Sequence, residues 1–210
     1  INDYDKAINH WLIYGIFENR IYFNNLIKKK IILHINHSFG GGVKEYIKNL
    51  IAVYNNYDHI IINIIDNNYV NINGYVINID NLELLFRNKI LLIFTHHLLY
   101  YDMNYKFNYK MVDFIKKYDC DKLFIVHDYF TLFIEEPNIL KKNMNNSKPN
   151  LEILTLIIET HNKLIFNLKN TLDIFKNYID IKNYILINNV PDIEIYRFNK
   201  TNLIRNIAIL

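Results

Sequence analysis

Glycine is scarce in this chain of 210 residues: there are five, and three of them are consecutive, Gly40-Gly41-Gly42. Proline is scarcer, at three, so few positions forbid a helix or strand from continuing. The single cysteine, Cys120, excludes an internal disulfide and fits a reducing compartment; it reads as an ordinary thiol. No apolar run approaches the roughly 20 residues that cross a bilayer, so no transmembrane segment is expected. A formal net charge of +3 is too small to argue for a nucleic-acid partner. The one tight basic cluster, Lys28-Lys29-Lys30, reads as a solvated flank. The chain starts Ile1-Asn2-Asp3-Tyr4-Asp5, without an initiator methionine or a signal-like arrangement. It is expected to be a cytoplasmic piece of something longer.

What is present suffices for one sizeable α/β domain: 51% apolar residues, including 17 Tyr and 13 Phe. The remainder is rich in Ile, Asn and Lys, a bias that reads as A/T-rich coding rather than adaptation. Residues 1–30 form a short helical leader, with Ala7, Ile8, Trp11 and Leu12 on one face. From Ile31 strands and helices alternate. Strands are predicted at Ile31–Asn36, His59–Ile65, Tyr75–Ile79 (after a turn over 71–74), Ile90–Thr95, Lys122–Val126, Lys163–Phe166 and Tyr184–Ile187. Helices are predicted at Val43–Tyr54, Asn81–Arg87, Lys106–Lys117, Leu151–His161 and Thr171–Tyr178. Residues 131–150, with Pro137, Pro149 and many Asn, read as a mobile loop. Short, continuously apolar strands separated by helices predict a Rossmann-like parallel sheet with helices on both faces.

Three groups follow strand ends directly: the glycine turn at 39–43, the pair His96-His97, and His127-Asp128-Tyr129-Phe130. Ligands of open parallel sheets bind beyond the carboxyl ends of the strands, so all three should share one rim. Gly40, Gly41 and Gly42 lead into a helix at Val43, and unpaired N–H groups at a helix start favour an anion. Val43-Lys44-Glu45 stands where a P-loop would carry its lysine and hydroxyl pair, and the spacing misses the dinucleotide fingerprint. A bare structural turn and a phosphate- or sugar-contacting turn both fit. His96 and His97 could ligate a metal only with a third and fourth partner, which His127 and Asp128 would supply only if all four met; neighbours on an extended segment point apart, so no metal site is assigned. His127 can exchange hydrogen bonds with a sugar hydroxyl or sit as a satisfied rim histidine. Asp128 suits a local cap, Tyr129 and Phe130 suit packing, and His34 and His37 could line the cleft. Ser38 has no base fixed by sequence, which leaves a hydrolase triad unsupported.

These residues resemble a family. Ile32–Leu50, with Gly40-Gly41-Gly42-Val43 and Tyr46, is similar to the first strand, glycine loop and first helix of the retaining glycosyltransferases of family 4, which have the two-domain GT-B architecture. Thr95-His96-His97 resembles a strand-end segment of its polysaccharide-building members, and Val126–Phe130 their "HDYF" segment. Leu164–Phe175, Tyr184–Pro191 and Ile204–Leu210 resemble the last N-domain units and the first strand of the next domain. The resemblance covers about residues 31–210. The leader resembles a short "HW…YG…EGR" unit beside glycosyltransferase domains of bacterial and giant-virus proteins, with Asn19 where glycine is usual. Two departures stand out: Leu132–Pro137 replaces the usual "CPR" continuation, and Asn167-Leu168 replaces a "PS" pair.

The resemblance implies that residues 31–200 are the acceptor-side half of a GT-B enzyme and 201–210 a linker and opening strand of the missing C-terminal domain. It implies retaining transfer from a UDP-, GDP- or TDP-sugar to a glycan acceptor, without metal or other cofactor. His127 would touch the transferred sugar, Gly40–Val43 the donor diphosphate, and His37, His96, His97 and Asp128 the acceptor side. The compartment implied is cytoplasm, or host cytoplasm or virion for a viral source. A catalytically inactive, glycosyltransferase-like binding or structural module is the alternative. A sugar-nucleotide epimerase would want Tyr-x-x-x-Lys, and Tyr105 to Lys110 is one residue too long.

Overall fold

Seven consecutive residues, Ile31–His37, are buried without a break and form β1, a pattern possible only for a strand covered on both faces. The computed structural model describes residues 30–37, 42–86, 90–133 and 148–187. Beyond β1 the order is α1 (Gly42–Val53), β2 (Asp58–Ile64), β3 (Tyr69–Ile72), β4 (Tyr75–Asn78) and a 3-10 turn (Ile79–Asn81) entering α2 (Leu82–Phe86). Then come β5 (Ile90–Thr95), β6 (Leu99–Asp102), β7 (Asn104–Phe107), α3 (Tyr109–Lys116) and β8 (Asp121–Val126). The last described elements are α4 (Leu151–Thr160), β9 (Lys163–Phe166), α5 (Lys169–Lys176) and β10 (Tyr184–Leu186).

Among the described residues eight strands make one sheet in the order β10-β9-β8-β5-β1-β2-β3-β4, and β6-β7 is a separate hairpin. The six strands from β10 to β2 run parallel, while β3 and β4 extend the edge as an antiparallel hairpin. The chain is thus mixed α/β, with a large, mostly parallel sheet flanked by helices.

Alternation along β1 divides the core in two. Ile31, Leu33 and Ile35 face the larger cluster, with Leu82 and Phe86 of α2, Met111 and Ile115 of α3, Leu154 of α4 and Phe175 of α5. Ile32 faces the second cluster with Phe94, Ile125, and Leu50 and Tyr54 from α1 and its exit. His34 follows Ile32 by two and falls on this second face, under α1. Among the described residues no helix is long and apolar enough to cross a membrane.

Several predicted elements differ. The helix expected over 106–117 begins at Tyr109, because Asn108 caps it, accepting from Met111 N at 2.8 Å. Lys106 and Phe107 belong instead to β7. The predicted turn over 71–74 narrows to Asn73-Gly74, and the unpredicted β3 precedes it. The helix expected at 171–178 spans Lys169–Lys176. The leader up to residue 29, most of the loop (134–147), and the segment from 188 to 210 lie outside the described residues.

Candidate functional site

Three strands of the parallel sheet, β1, β5 and β8, lie side by side, and their carboxyl ends deliver histidine. β1 closes on His37, Thr95 of β5 is followed by His96 and His97, and Val126 of β8 by His127. His96 N and His97 N donate to Ile35 O at 2.8 and 3.4 Å, which ties the β5 exit to β1. The rings then meet. His96 Nδ1 and His127 Nε2 are 3.0 Å apart; the His37 and His97 ring centroids are 4.3 Å apart; His97 stacks on His127 at 5.9 Å.

Asp128 joins this group from β8. Its Oδ1 accepts from Phe130 N at 2.9 Å, the local cap expected of it. Its Oδ2 lies 3.4 Å from His97 Nε2, and that buried nitrogen makes no hydrogen bond. Burial lifts the Asp128 carboxyl to about 6 and holds His97 well below the ordinary imidazole range, with neighbouring histidines adding to the effect. At pH 7 the pair is a neutral imidazole beside a carboxylate, not an ion pair. Phe130 packs edge-on against His97 and Tyr105, the role expected of it.

Beneath the rim the histidines continue inward. His34 Nδ1 is 3.3 Å from His96 Nε2, and His34 Nε2 is 2.9 Å from His59 Nδ1 on β2. His59 Nε2 lies 2.9 Å from Tyr54 O at the exit of α1. Burial first, and the neighbouring imidazole second, bring His34 down to about 3. Burial also brings His37 and His127 to about 4, and His96 well below its ordinary value. Tyr46 of α1 stands edge-on to His127 at 5.0 Å, and burial pushes its hydroxyl up to about 12.

Six of the seven described histidines therefore gather at or under one rim, and five of them are held neutral at pH 7 by desolvation. Neutral imidazoles each offer one donor and one acceptor. These five rings are suited to hydroxyl-rich ligands, and they carry no fixed charge with which to hold an anion. Among the described residues no group of three or more His, Cys, Asp or Glu could hold a metal ion.

Gly40 and Gly41 lie outside the described residues. Gly42 is the exposed first residue of α1, and a Cβ there would meet nothing within 4 Å. Val43 turns its side chain into the core, at 7% exposure, so only its backbone remains for a ligand. Cys120 lies apart on the approach to β8, its thiol pushed up to about 11 by burial and hence protonated. His34 was singled out from the sequence as a residue that could line the cleft; His59, its partner, was not. His59 sits near the start of β2, away from any carboxyl end of a strand, and its link to His34 depends on lateral strand order. Comparison with known proteins finds no match to this chain among family models, curated proteins or solved structures.

Proposed function

We propose that this chain is the acceptor-side half of a retaining glycosyltransferase of GT-B architecture, resembling family 4, acting on a nucleotide sugar and a glycan acceptor. The observation that carries the reading is the meeting of His37, His96, His97, His127 and Asp128 at the carboxyl ends of β1, β5 and β8. That rim is where open parallel sheets bind ligands. β1 ends at His37, α1 begins at Gly42, and Tyr46 of α1 stands against His127, so the first helix borders the same rim.

Each part has a physical role in such a reaction. Backbone N–H groups at Gly40–Gly42 and the start of α1 would meet the donor diphosphate and its developing charge. His127, neutral at pH 7, would hold a hydroxyl of the transferred sugar near the reacting centre rather than supply charge. His37, His96, His97 and Asp128 would line the acceptor side, where a carboxylate and neutral rings match a polyhydroxyl surface. A C-terminal domain would close the other wall and exclude water. No metal or other cofactor enters this reading.

The test is nucleoside diphosphate release by the longest natural product of the gene, across UDP-, GDP- and TDP-sugars with and without sugar acceptors. Release with one donor class, none from residues 1–210 alone, and no loss on adding a chelator are the expected results. His127→Ala in the active protein should lower turnover by about 100-fold; unchanged turnover would remove His127 from the reacting centre.

One observation favours a second reading, a catalytically inactive binding or structural module. Leu132 and Phe133, which begin the divergent continuation after the "HDYF"-like segment, are 0% and 2% exposed and belong to the hydrophobic core. They present no polar group where the family would place one. A folded full-length protein that releases nothing across the donor and acceptor panel would favour this module.

A further inference from the structure

His127, His96, His34 and His59 come from β8, β5, β1 and β2, four strands that are consecutive across the sheet. Their rings form one unbroken file, with nitrogen–nitrogen separations of 3.0, 3.3 and 2.9 Å. Adjacent rings also stack: centroids are 5.3, 5.6 and 5.2 Å apart, with interplanar angles of 25°, 17° and 25°. The file ends on Tyr54 O, 2.9 Å from His59 Nε2. A carbonyl oxygen can only accept, so His59 Nε2 must carry hydrogen.

In a file whose four rings are all neutral, that single constraint propagates. With Nε2 protonated, His59 Nδ1 accepts, and His34 Nε2 must donate to it. His34 Nδ1 then accepts from His96 Nε2, and His96 Nδ1 accepts from His127 Nε2. We propose that His59, His34 and His96 are positioning residues: they form a one-way hydrogen-bonded file that fixes His127 as its Nε2–H tautomer and leaves Nδ1 as an acceptor.

Nδ1 of His127 has no hydrogen-bond partner among the described residues, and the ring geometry turns it away from His96. Phe94 at 5.4 Å from the His34 ring and Tyr46 edge-on to His127 keep the file in apolar surroundings, where aligned hydrogen bonds polarise one another. A group that meets Nδ1 must therefore bring an O–H or N–H. A bare phosphate or carboxylate oxygen is the wrong complement. Equating that group with a sugar hydroxyl rests on the transferase reading; the direction of the file does not.

The test needs no substrate, so its failure is separate from failure of the transferase reading. In the 210-residue chain with 15N-labelled histidine, long-range 1H–15N correlation at pH 7.5 distinguishes pyrrole-like from pyridine-like nitrogens. The expected spectrum has pyrrole-like Nε2 and pyridine-like Nδ1 at all four residues. His59→Phe removes the Nδ1 acceptor that faces His34 and should convert His127 to a mixture of tautomers three strands away, a change that loss of packing alone would not direct. His59→Asn, which can restore an acceptor oxygen near the position of Nδ1, should keep His127 in the Nε2–H form. An Nδ1–H or charged His127 in the unmodified chain would overturn the inference. A folded His59→Phe chain whose His127 tautomer is unchanged would do the same. Should His59→Phe fail to fold, the unmodified spectrum alone still decides.

Discussion

His161 shows how a single buried imidazole is fixed by its partners. It is 6% exposed, and its Nδ1 lies 2.8 Å from Ile157 O, so Nδ1 carries the hydrogen. Nε2 must then accept, and Thr95 Oγ1, 2.9 Å away on the fully buried end of β5, donates to it. Thr95→Val keeps shape but strands the Nε2 lone pair, and should destabilise the fold by about 1–3 kcal/mol in urea unfolding. With His161→Phe the same Thr95→Val change should cost less, because no lone pair is left unmet; equal costs in both backgrounds would contradict the pairing. These two residues also show what a sequence hides. His37, His96, His97, His127 and Asp128 were legible as rim residues because each lies at or just after the end of an apolar strand. His161 and His59 precede or open strands, so nothing in their local pattern marks them, and only the lateral order of strands reveals their partners.

Among the elements, β1, β5, β8 and β9 could be read directly, since each is a compact apolar run and a strand buried on both faces requires just that. The β6-β7 hairpin could not. Its turn residue is Met103, at φ 58° and 88% exposed, where a glycine or asparagine would ordinarily announce a left-handed position. Without that signal, Lys106 and Phe107 merged with the helical pattern of α3. The β3-β4 turn is the opposite case: Asn73 and Gly74 have φ of 53° and 92°, the residue types a two-residue hairpin turn prefers. Gly74 N also donates to Asn71 Oδ1 at 2.9 Å. A Cβ at Gly74 would meet no atom within 4 Å, so any penalty there comes from the backbone alone. Gly74→Ala should therefore lower stability by about 1–2 kcal/mol, while Asn73→Gly should stay within about 0.5 kcal/mol. Thermal unfolding of the two variants checks this, and a neutral Gly74→Ala would mean the turn is not held left-handed.

At the scale of the whole molecule, the neutral histidines make the fold a poor proton acceptor. Burial lowers His34 to about 3, His37, His127 and His161 to about 4, and His96 and His97 well below the ordinary value. An unfolded chain takes up protons at these residues near pH 6.5, whereas the folded chain does not until far lower pH. Between those limits the unfolded state binds more protons, so stability falls as pH falls. Asp128 acts in the opposite sense, because its folded value of about 6 lies above its unfolded one and the fold gains as it protonates. Burial raises the Asp121 carboxyl in the same direction, so among the described residues two carboxyls are set against six imidazoles, and the imidazoles prevail. Going from pH 7.5 to pH 5.5, each histidine held neutral should remove about 1.4 kcal/mol. Several such losses together are comparable with the whole stability of an ordinary domain, about 5–15 kcal/mol. The urea midpoint should thus drop steeply across this window, and the chain should unfold in mild acid without denaturant. A midpoint that holds level from pH 7.5 to 5.5 would mean that the rim histidines are not kept neutral, and with that the hydroxyl-matching character of the site would be lost.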